Sequence, residues 1–329
     1  MRDHLEDYMK FKFDAFIFFL FVMIAFAFFY PDLITWGNGQ LLHQLSSIGV
    51  MLIFFFYGIK LSYQQIKEGL KNWKLHIAIQ CFTFILFPLL LLLLKPMAQT
   101  MLQEQFWLSF FFLAVLPSTV SSSVVMVSIA RGNIPAAIFN ASISGLIGVI
   151  ITPFMMQVFL DFEQEHVITT VYAGLFKEII IPVLLGLLVQ PYLGKFANRY
   201  GKTLTLFDKS VILLIVYISF AESFASGVFQ SVGTQYILWV FIGVVILFSL
   251  IYFIIWILTK YVFKFNRADQ ITALFCGSKK SLTHGSVFGK FIFYNNPHTG
   301  LYFLPLMIFH AFQILVITWI AQRYASKTD

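Results

Sequence analysis

Apolar residues in this chain come in long runs separated by short polar stretches. Ten runs stand out, at roughly 13 to 30, 39 to 59, 74 to 95, 106 to 130, 134 to 160, 167 to 191, 208 to 230, 235 to 263, 268 to 293 and 300 to 323. Most reach the roughly 20 residues that a helix needs to cross a hydrocarbon core. The pattern predicts an all-α polytopic membrane protein, with residues 1–329 as one transmembrane unit whose loops are too short to hold a soluble domain. The first run is longer than a typical signal core, and no small-x-small cleavage site follows at Phe29, Tyr30 and Pro31, so it reads as the first span.

Composition agrees with lipid as the solvent. Hydrophobic residues make up 59% of the chain and charged ones 11%, against roughly 25% charged in an ordinary soluble domain. The net charge of +7 is scattered between the apolar runs rather than gathered in an aromatic-interleaved patch, so no nucleic-acid partner is expected. If every run crosses, one side collects Arg2, Lys10, Lys12, Lys60, Lys67, Lys71, Lys74, Arg131, Lys195, Arg199, Lys202, Lys209, Lys260, Lys264, Arg267, Arg323 and Lys327, and the other only Lys95. Cations concentrate on cytoplasmic loops, so both termini are expected in the cytoplasm and the bilayer is read as a plasma or bacterial inner membrane. Cys81 and Cys276 both lie in apolar runs, which leaves no disulfide framework, and no metal or cofactor is expected.

Two runs are interrupted by polar and helix-breaking residues. The fourth reads Leu116-Pro117-Ser118-Thr119-Val120-Ser121-Ser122-Ser123, and the ninth Cys276-Gly277-Ser278-Lys279-Lys280-Ser281-Leu282-Thr283-His284-Gly285. Proline removes a backbone donor, and the hydroxyls after it suit the cap of a restarted helix, so a break is expected after Leu116. The bland reading is a proline kink whose hydroxyls bond to their own helix. Each lysine costs roughly 2.5–3.5 kcal/mol near a membrane centre, so Lys279 and Lys280 are expected to face an interior cavity or an anionic partner, with Gly277 and Gly285 allowing the backbone to unwind. The competing reading moves the lysine pair into a loop. Both interruptions fall about ten residues into their runs, near mid-depth, at matching positions of two five-helix halves. An odd repeat inserts its second copy upside down, as in many secondary transporters.

Other polar positions are less specific. Gln80, Asn140, Ser142 and Ser144 either line the same cavity or bond neighbouring helices. Glu222, Lys177 and Glu178 are either coupling groups or interfacial charges, and Lys290 reads as snorkelling to the outer interface. His284 and His310 have no second ligand at helical spacing, and neither His-Glu-x-x-His nor Gly-x-Ser-x-Gly occurs, so no enzyme is expected.

The stretches Val115 to Ser123, Ala130-Arg131-Gly132-Asn133-Ile134-Pro135-Ala136-Ala137 and Phe275-Cys276-Gly277-Ser278-Lys279-Lys280-Ser281 resemble the bile acid:sodium symporter family. They are most similar to its divergent branch typified by solute carrier family 10 member seven and its bacterial relatives. The resemblance implies inverted five-helix repeats, a panel of spans one, two, six and seven, and a core of spans three to five and eight to ten. It also implies that broken spans four and nine cross, and that the core moves against the panel in alternating access. Of the family's sodium ligands, Ser122, Ser123 and Gln80 are matched, whereas the bridging glutamate falls on Phe275. The Gln-Asn pair falls on Lys279 and Lys280, and two helix-five hydroxyls on Ala137 and Ala141. The expected function is therefore a secondary transporter for a small anionic organic solute, in contact with membrane lipid, with Lys279, helped by Lys280, as a built-in positive charge in place of the sodium ion. Its binding residues are expected among Gln80, Pro117, Ser118, Thr119, Ser121, Ser122, Ser123, Asn140, Ser144, Gly277, Ser278, Lys279, Lys280 and Ser281. The alternative is a non-transporting membrane regulator on the same scaffold.

Overall fold

The computed structural model describes residues 15–35, 40–60, 72–119, 121–160, 165–227, 233–294 and 296–326. Arg2, Lys10, Lys12, Lys67, Lys71 and Lys327 of the one-sided cation set, and the side chain of Ser121, lie outside the described residues. Among those described there is no strand. The helices are α1 (Ala15–Phe29), α2 (Leu41–Lys60), α3 (Trp73–Cys81), α4 (Phe87–Leu94), α5 (Met101–Val115), α6 (Ser121–Ile129), α7 (Ile134–Gln157), α8 (Glu165–Leu175), α9 (Ile181–Arg199), α10 (Gly201–Ala225), α11 (Thr234–Ile257), α12 (Arg267–Gly277), α13 (Leu282–Ile292) and α14 (Thr299–Ser326). π-Helical turns at Phe82–Leu86 and Phe176–Ile180 fuse α3 to α4 and α8 to α9. Seven described helices are long and apolar enough to cross a membrane, with α1 and α5 as shorter apolar helices.

The sequence places a loop between the sixth and seventh runs, and there the structure corrects it. α9 continues to Arg199 and α10 starts at Gly201, so Lys195, Arg199, Lys202 and Lys209 ride on helix rather than loop. A helix keeps its hydrogen bonds when it leaves the lipid, so its polar end is invisible to a hydropathy boundary.

Large apolar side chains point outward: Phe28 is 60% exposed, Leu93 68% and Leu188 72%, a surface suited to acyl chains. Polar groups are turned inward, with Asn140, Lys279, Lys280 and Gln313 fully buried. α2 packs along α9 and α10, and α10 along α1, while α14 packs against α5, α6 and α11 and α12 against α3 and α7. The α2–α9 approach depends on glycine. A Cβ on Gly58 would press on the carbonyl of Val183 and lie 3.0 Å from the Cα of Gly186, so backbones meet with nothing between them.

One carboxylate gathers three helix starts. The side-chain amides of Asn72, Asn133 and Asn266, which precede α3, α7 and α12, all donate to Asp269 at 2.9, 2.8 and 2.9 Å. Asn133 and Asn266 also cap their own helices, accepting from the N–H groups of Ala136 and Asp269. This clip sits at the start of α12, ten residues before the lysine pair it helps to position.

Candidate functional site

A helix that stops in the interior leaves carbonyls without partners. At the end of α5 each of these carbonyls is met by another element. Ala114 and Leu116 accept from Nζ of Lys280, Val115 from Oγ1 of Thr152 at 2.7 Å, and Pro117 from the N–H of Ser281 at 2.9 Å. The end of α12 is treated the same way. Cys276 accepts from Oγ of Ser118 at 2.5 Å, Phe275 from Oγ of Ser123 at 3.4 Å, and Lys280 from Nε2 of Gln313 at 2.8 Å. The two breaks therefore touch and satisfy each other. α6 restarts with Thr119 Oγ1 bridging Ser122 and Ser123 at 2.7 and 3.0 Å, and α13 with Ser281 capping the N–H of His284. α7 holds the first break, since Ser144 Oγ accepts from the N–H of Ser118 at 3.0 Å and a Cβ on Gly148 would lie 2.9 Å from the ring of Pro117.

Lys280 sits at the centre of this junction. Its three ammonium protons meet three carbonyls, those of Thr83 at 2.8 Å, Ala114 at 2.6 Å and Leu116 at 2.8 Å, and its Nζ lies 4.1 Å from the ring centre of Phe87. Thr83 is free to accept for a reason written in the sequence. In the π-turn the next bond would come from residue 88, and Pro88 has no N–H. A cation at the C-terminal end of α5 also opposes the negative pole of that helix.

Lys279, one residue away, is as deeply buried, but its Nζ has no hydrogen-bond partner among the described residues. The sequence reading put Lys279 first and Lys280 second; the carbonyl cage belongs to Lys280. The pair points apart because Ser278 ends α12 and residues 279 and 280 are not helical.

The SBF-like CPA transporter family matches residues 14–326. The chain belongs to this family. It is 36% identical to an uncharacterised protein of Pseudomonas aeruginosa over 87% of this chain and 85% of that one. It is 32% identical to the putative symporter YfeH of Escherichia coli (87% and 86% covered) and 31% identical to sodium/bile acid cotransporter 7 of Rattus norvegicus (83% and 80% covered). Family and relatives together support a membrane transporter, embedded as an integral multi-pass protein.

Within this family member, the predicted residues separate into two groups. Pro117, Ser118, Thr119, Ser122, Ser123, Ser144, Gly277, Ser278, Lys279, Lys280 and Ser281 gather where the two breaks meet, with Ser121 opening α6 beside them. Gln80 and Asn140 lie in a separate chain: Gln80 Nε2 donates to Asn140 Oδ1 at 3.2 Å, and Asn140 Nδ2 lies 2.7 Å from Nδ1 of His76. Phe275, Ala137 and Ala141, on which the resemblance noted from sequence puts sodium ligands, are buried and offer no side-chain oxygen.

Sequence reasoning missed Thr83, Thr152 and Gln313. Gln313 clamps the second break from both sides, accepting the N–H of Lys280 at 2.9 Å as well as donating to its carbonyl. Its signal was a lone glutamine in the middle of an apolar run. Lys290 requires a correction: it does not snorkel but pairs with Glu178 at 2.9 Å and Ser47 at 2.6 Å, its side chain 14% exposed. A buried carboxylate on a neighbouring helix outweighs a distant interface, because each ion alone would be stranded.

Proposed function

We propose that this protein is a secondary transporter for a small organic anion, in which the ammonium of Lys280 stands permanently where relatives with a carboxylate at this junction would need a cation. The observation that carries the reading is the three-carbonyl cage around Lys280. Three carbonyl oxygens at 2.6 to 2.8 Å neutralise no charge, so the junction keeps a net positive field that attracts an anion. Lys279, with its unpartnered Nζ, is the group that meets the solute. Sodium has no role at the junction.

The same reading takes the chain as ten spans in two inverted five-helix repeats, with α5–α6 and α12–α13 as the broken fourth and ninth spans crossing near mid-membrane. α1, α2, the fused α8 and α9, and α10 form a panel against which the remaining helices move in alternating access. The packing of α2 on α9 and of α10 on α1 supports that division, and the cation asymmetry supports cytoplasmic termini in a plasma or bacterial inner membrane.

The test is counterflow of a panel of radiolabelled mono- and dicarboxylates in proteoliposomes, with sodium replaced throughout by choline. Counterflow of at least one acid is expected in choline. Strict dependence on sodium would overturn the built-in charge, and no counterflow of any acid in either salt would overturn the anion transporter.

A further inference from the structure

A second group of ionisable side chains lines a small cleft, which α13 reaches at Lys290, ten residues beyond Lys280. The cleft lies between the starts of α2 and α14 and the ends of α10 and α13, with His43, Ser46, Ser219, Glu222, Lys290 and Thr299 on its walls. Nε2 of His43 stands 3.3 Å from Oε1 of Glu222, each side chain about one-third exposed (34% and 35%). Beside them Lys290 pairs with Glu178, which is carried by the π-turn between α8 and α9. Such turns are frequent at functional sites.

Two independent observations give the sign of the missing ligand. The first is charge. Lys290 cancels Glu178, so Glu222 is left to His43, and with a neutral imidazole the four groups sum to minus one. The second is hydrogen-bond polarity. Ser46, Ser219 and Thr299 direct their hydroxyl protons to the backbone carbonyls of His43, Ile215 and Phe293, at 2.8, 2.9 and 3.1 Å, which leaves lone pairs as what they can offer the cleft. With Lys290 committed to Glu178 and Ser47, Glu222 and these lone pairs are what the cleft offers to a cation. Direct pairing of an imidazole with a carboxylate makes that cation a proton, since an imidazole gains and loses one in the range where cells work.

We propose that His43 and Glu222 together bind one exchangeable proton from solvent, lodged between Nε2 and Oε1, and that this pair is the coupling site of the transporter. The coupling role rests on the transport reading above; the proton site itself does not. Among the other charged or titratable groups on the packed elements, His284 on α13 has Nδ1 3.0 Å from Oγ of Ser281, His298 precedes Thr299 with Nε2 3.5 Å from Nε2 of Gln105, and Tyr302 is buried on α14. Tyr294, just beyond α13, lines the cleft, Lys177 is exposed beside Glu178, and Asp32 is exposed on the turn Pro31–Thr35 that packs on α10. Tyr217 lies on α10, five residues before Glu222, with its hydroxyl bonded to the carbonyl of Tyr30 at 2.8 Å. Lys60 closes the opposite end of α2, Asp208 and Lys209 lie on the opposite end of α10, and α9 bears Lys195 and Arg199 at its far end. On α14, His310 and Arg323 are about three and more than six turns from Thr299.

The test is a pH titration from 5 to 9 of isotope-labelled histidine signals in the full chain in nanodiscs, the His43 signal being identified by its disappearance in His43→Gln, or in His43→Asn should the first variant not fold. A titrating His43 signal is expected, with its midpoint moved down by one pH unit or more in Glu222→Gln, a tenfold loss of proton affinity. A signal that does not titrate, or a midpoint unmoved in Glu222→Gln, would overturn the site; a His43 signal that responds to added sodium at fixed pH and not to pH would assign the cleft to sodium instead. For coupling, an imposed pH gradient should drive accumulation of whichever acid shows counterflow. His43→Gln should lower that accumulation at least tenfold relative to its own counterflow, and an unchanged ratio would overturn coupling at this pair. Absence of counterflow in the native protein would sink the transport reading while the titration still decides the proton site.

Discussion

The junction of the two broken helices and the cleft at the end of α10 both bury a lysine, and they accommodate it in opposite ways. Lys280 is held by backbone alone: three carbonyls freed by a broken helix and a missing proline N–H. Lys290 is held by a carboxylate from a neighbouring helix, Glu178. A carbonyl cage leaves the charge of the ammonium uncancelled by any anion. An ion pair is neutral as a unit. The first arrangement leaves a field for an anion, while the second spends Glu178 on Lys290 and leaves Glu222 to His43, which is why the anion is assigned to the junction and the proton to the cleft.

The comparison breaks most visibly at Lys280. In Lys280→Met the side chain keeps roughly its length but the carbonyls of Thr83, Ala114 and Leu116 lose their donor, at about 1–3 kcal/mol for each buried acceptor left unsatisfied. The expected outcome is loss of most folded protein, read as the monodisperse fraction in detergent and the midpoint of thermal unfolding. Melting like that of the native protein would mean that water enters the junction and that the cage is not what holds the two breaks together.

Lys290 offers the contrasting case. Lys290→Met strands Glu178, whose side chain is 11% exposed, and removing one partner of a buried pair costs about 3–5 kcal/mol. Adding Glu178→Gln should recover most of that loss, because the pair is neutral as a unit. Thermal midpoints of the two single variants and the double variant measure the coupling, and additive losses would show that the two groups do not act on each other. No such rescue exists for Lys280, whose acceptors are backbone.

Much of the architecture could be read from sequence because the decisive signals are local. The run lengths of apolar residues and Pro117 with its hydroxyls lie within a few residues of the feature they produce, whereas Gly277 and Gly285, expected to unwind the chain, are both helical and make room for packing instead. What was not legible depends on distance along the chain. Lys280 finds its carbonyls 197, 166 and 164 residues away, and Lys290 its carboxylate 112 residues away. Periodicity and composition carry no information about which helix faces which. Which of the two lysines the carbonyls hold was hidden for that reason: two adjacent lysines are alike until the freed carbonyls have been located. The Asp269 clip was hidden in the same way, since Asn72, Asn133 and Asn266 converge only after α3, α7 and α12 are packed.

The smallest effect on stability, and the sharpest on the comparison, belongs to Lys279. Its side chain is as buried as that of Lys280, yet Nζ donates to nothing, so Lys279→Met removes no hydrogen bond and exchanges a buried polar tip for an apolar one of similar length. The thermal midpoint should stay the same or rise, by the equivalent of about 1 kcal/mol or less, as for other volume-conserving core exchanges. If Nζ is there for the solute, counterflow of the acid that the native protein exchanges should fall at least tenfold in this folded, stable variant. A neutral residue that keeps a donor, as in Lys279→Gln, should fall less than Lys279→Met if hydrogen bonding contributes, and equally if charge alone matters. A clear loss of stability in Lys279→Met would instead mean that Nζ has a structural partner, and would move the anion site elsewhere in the junction.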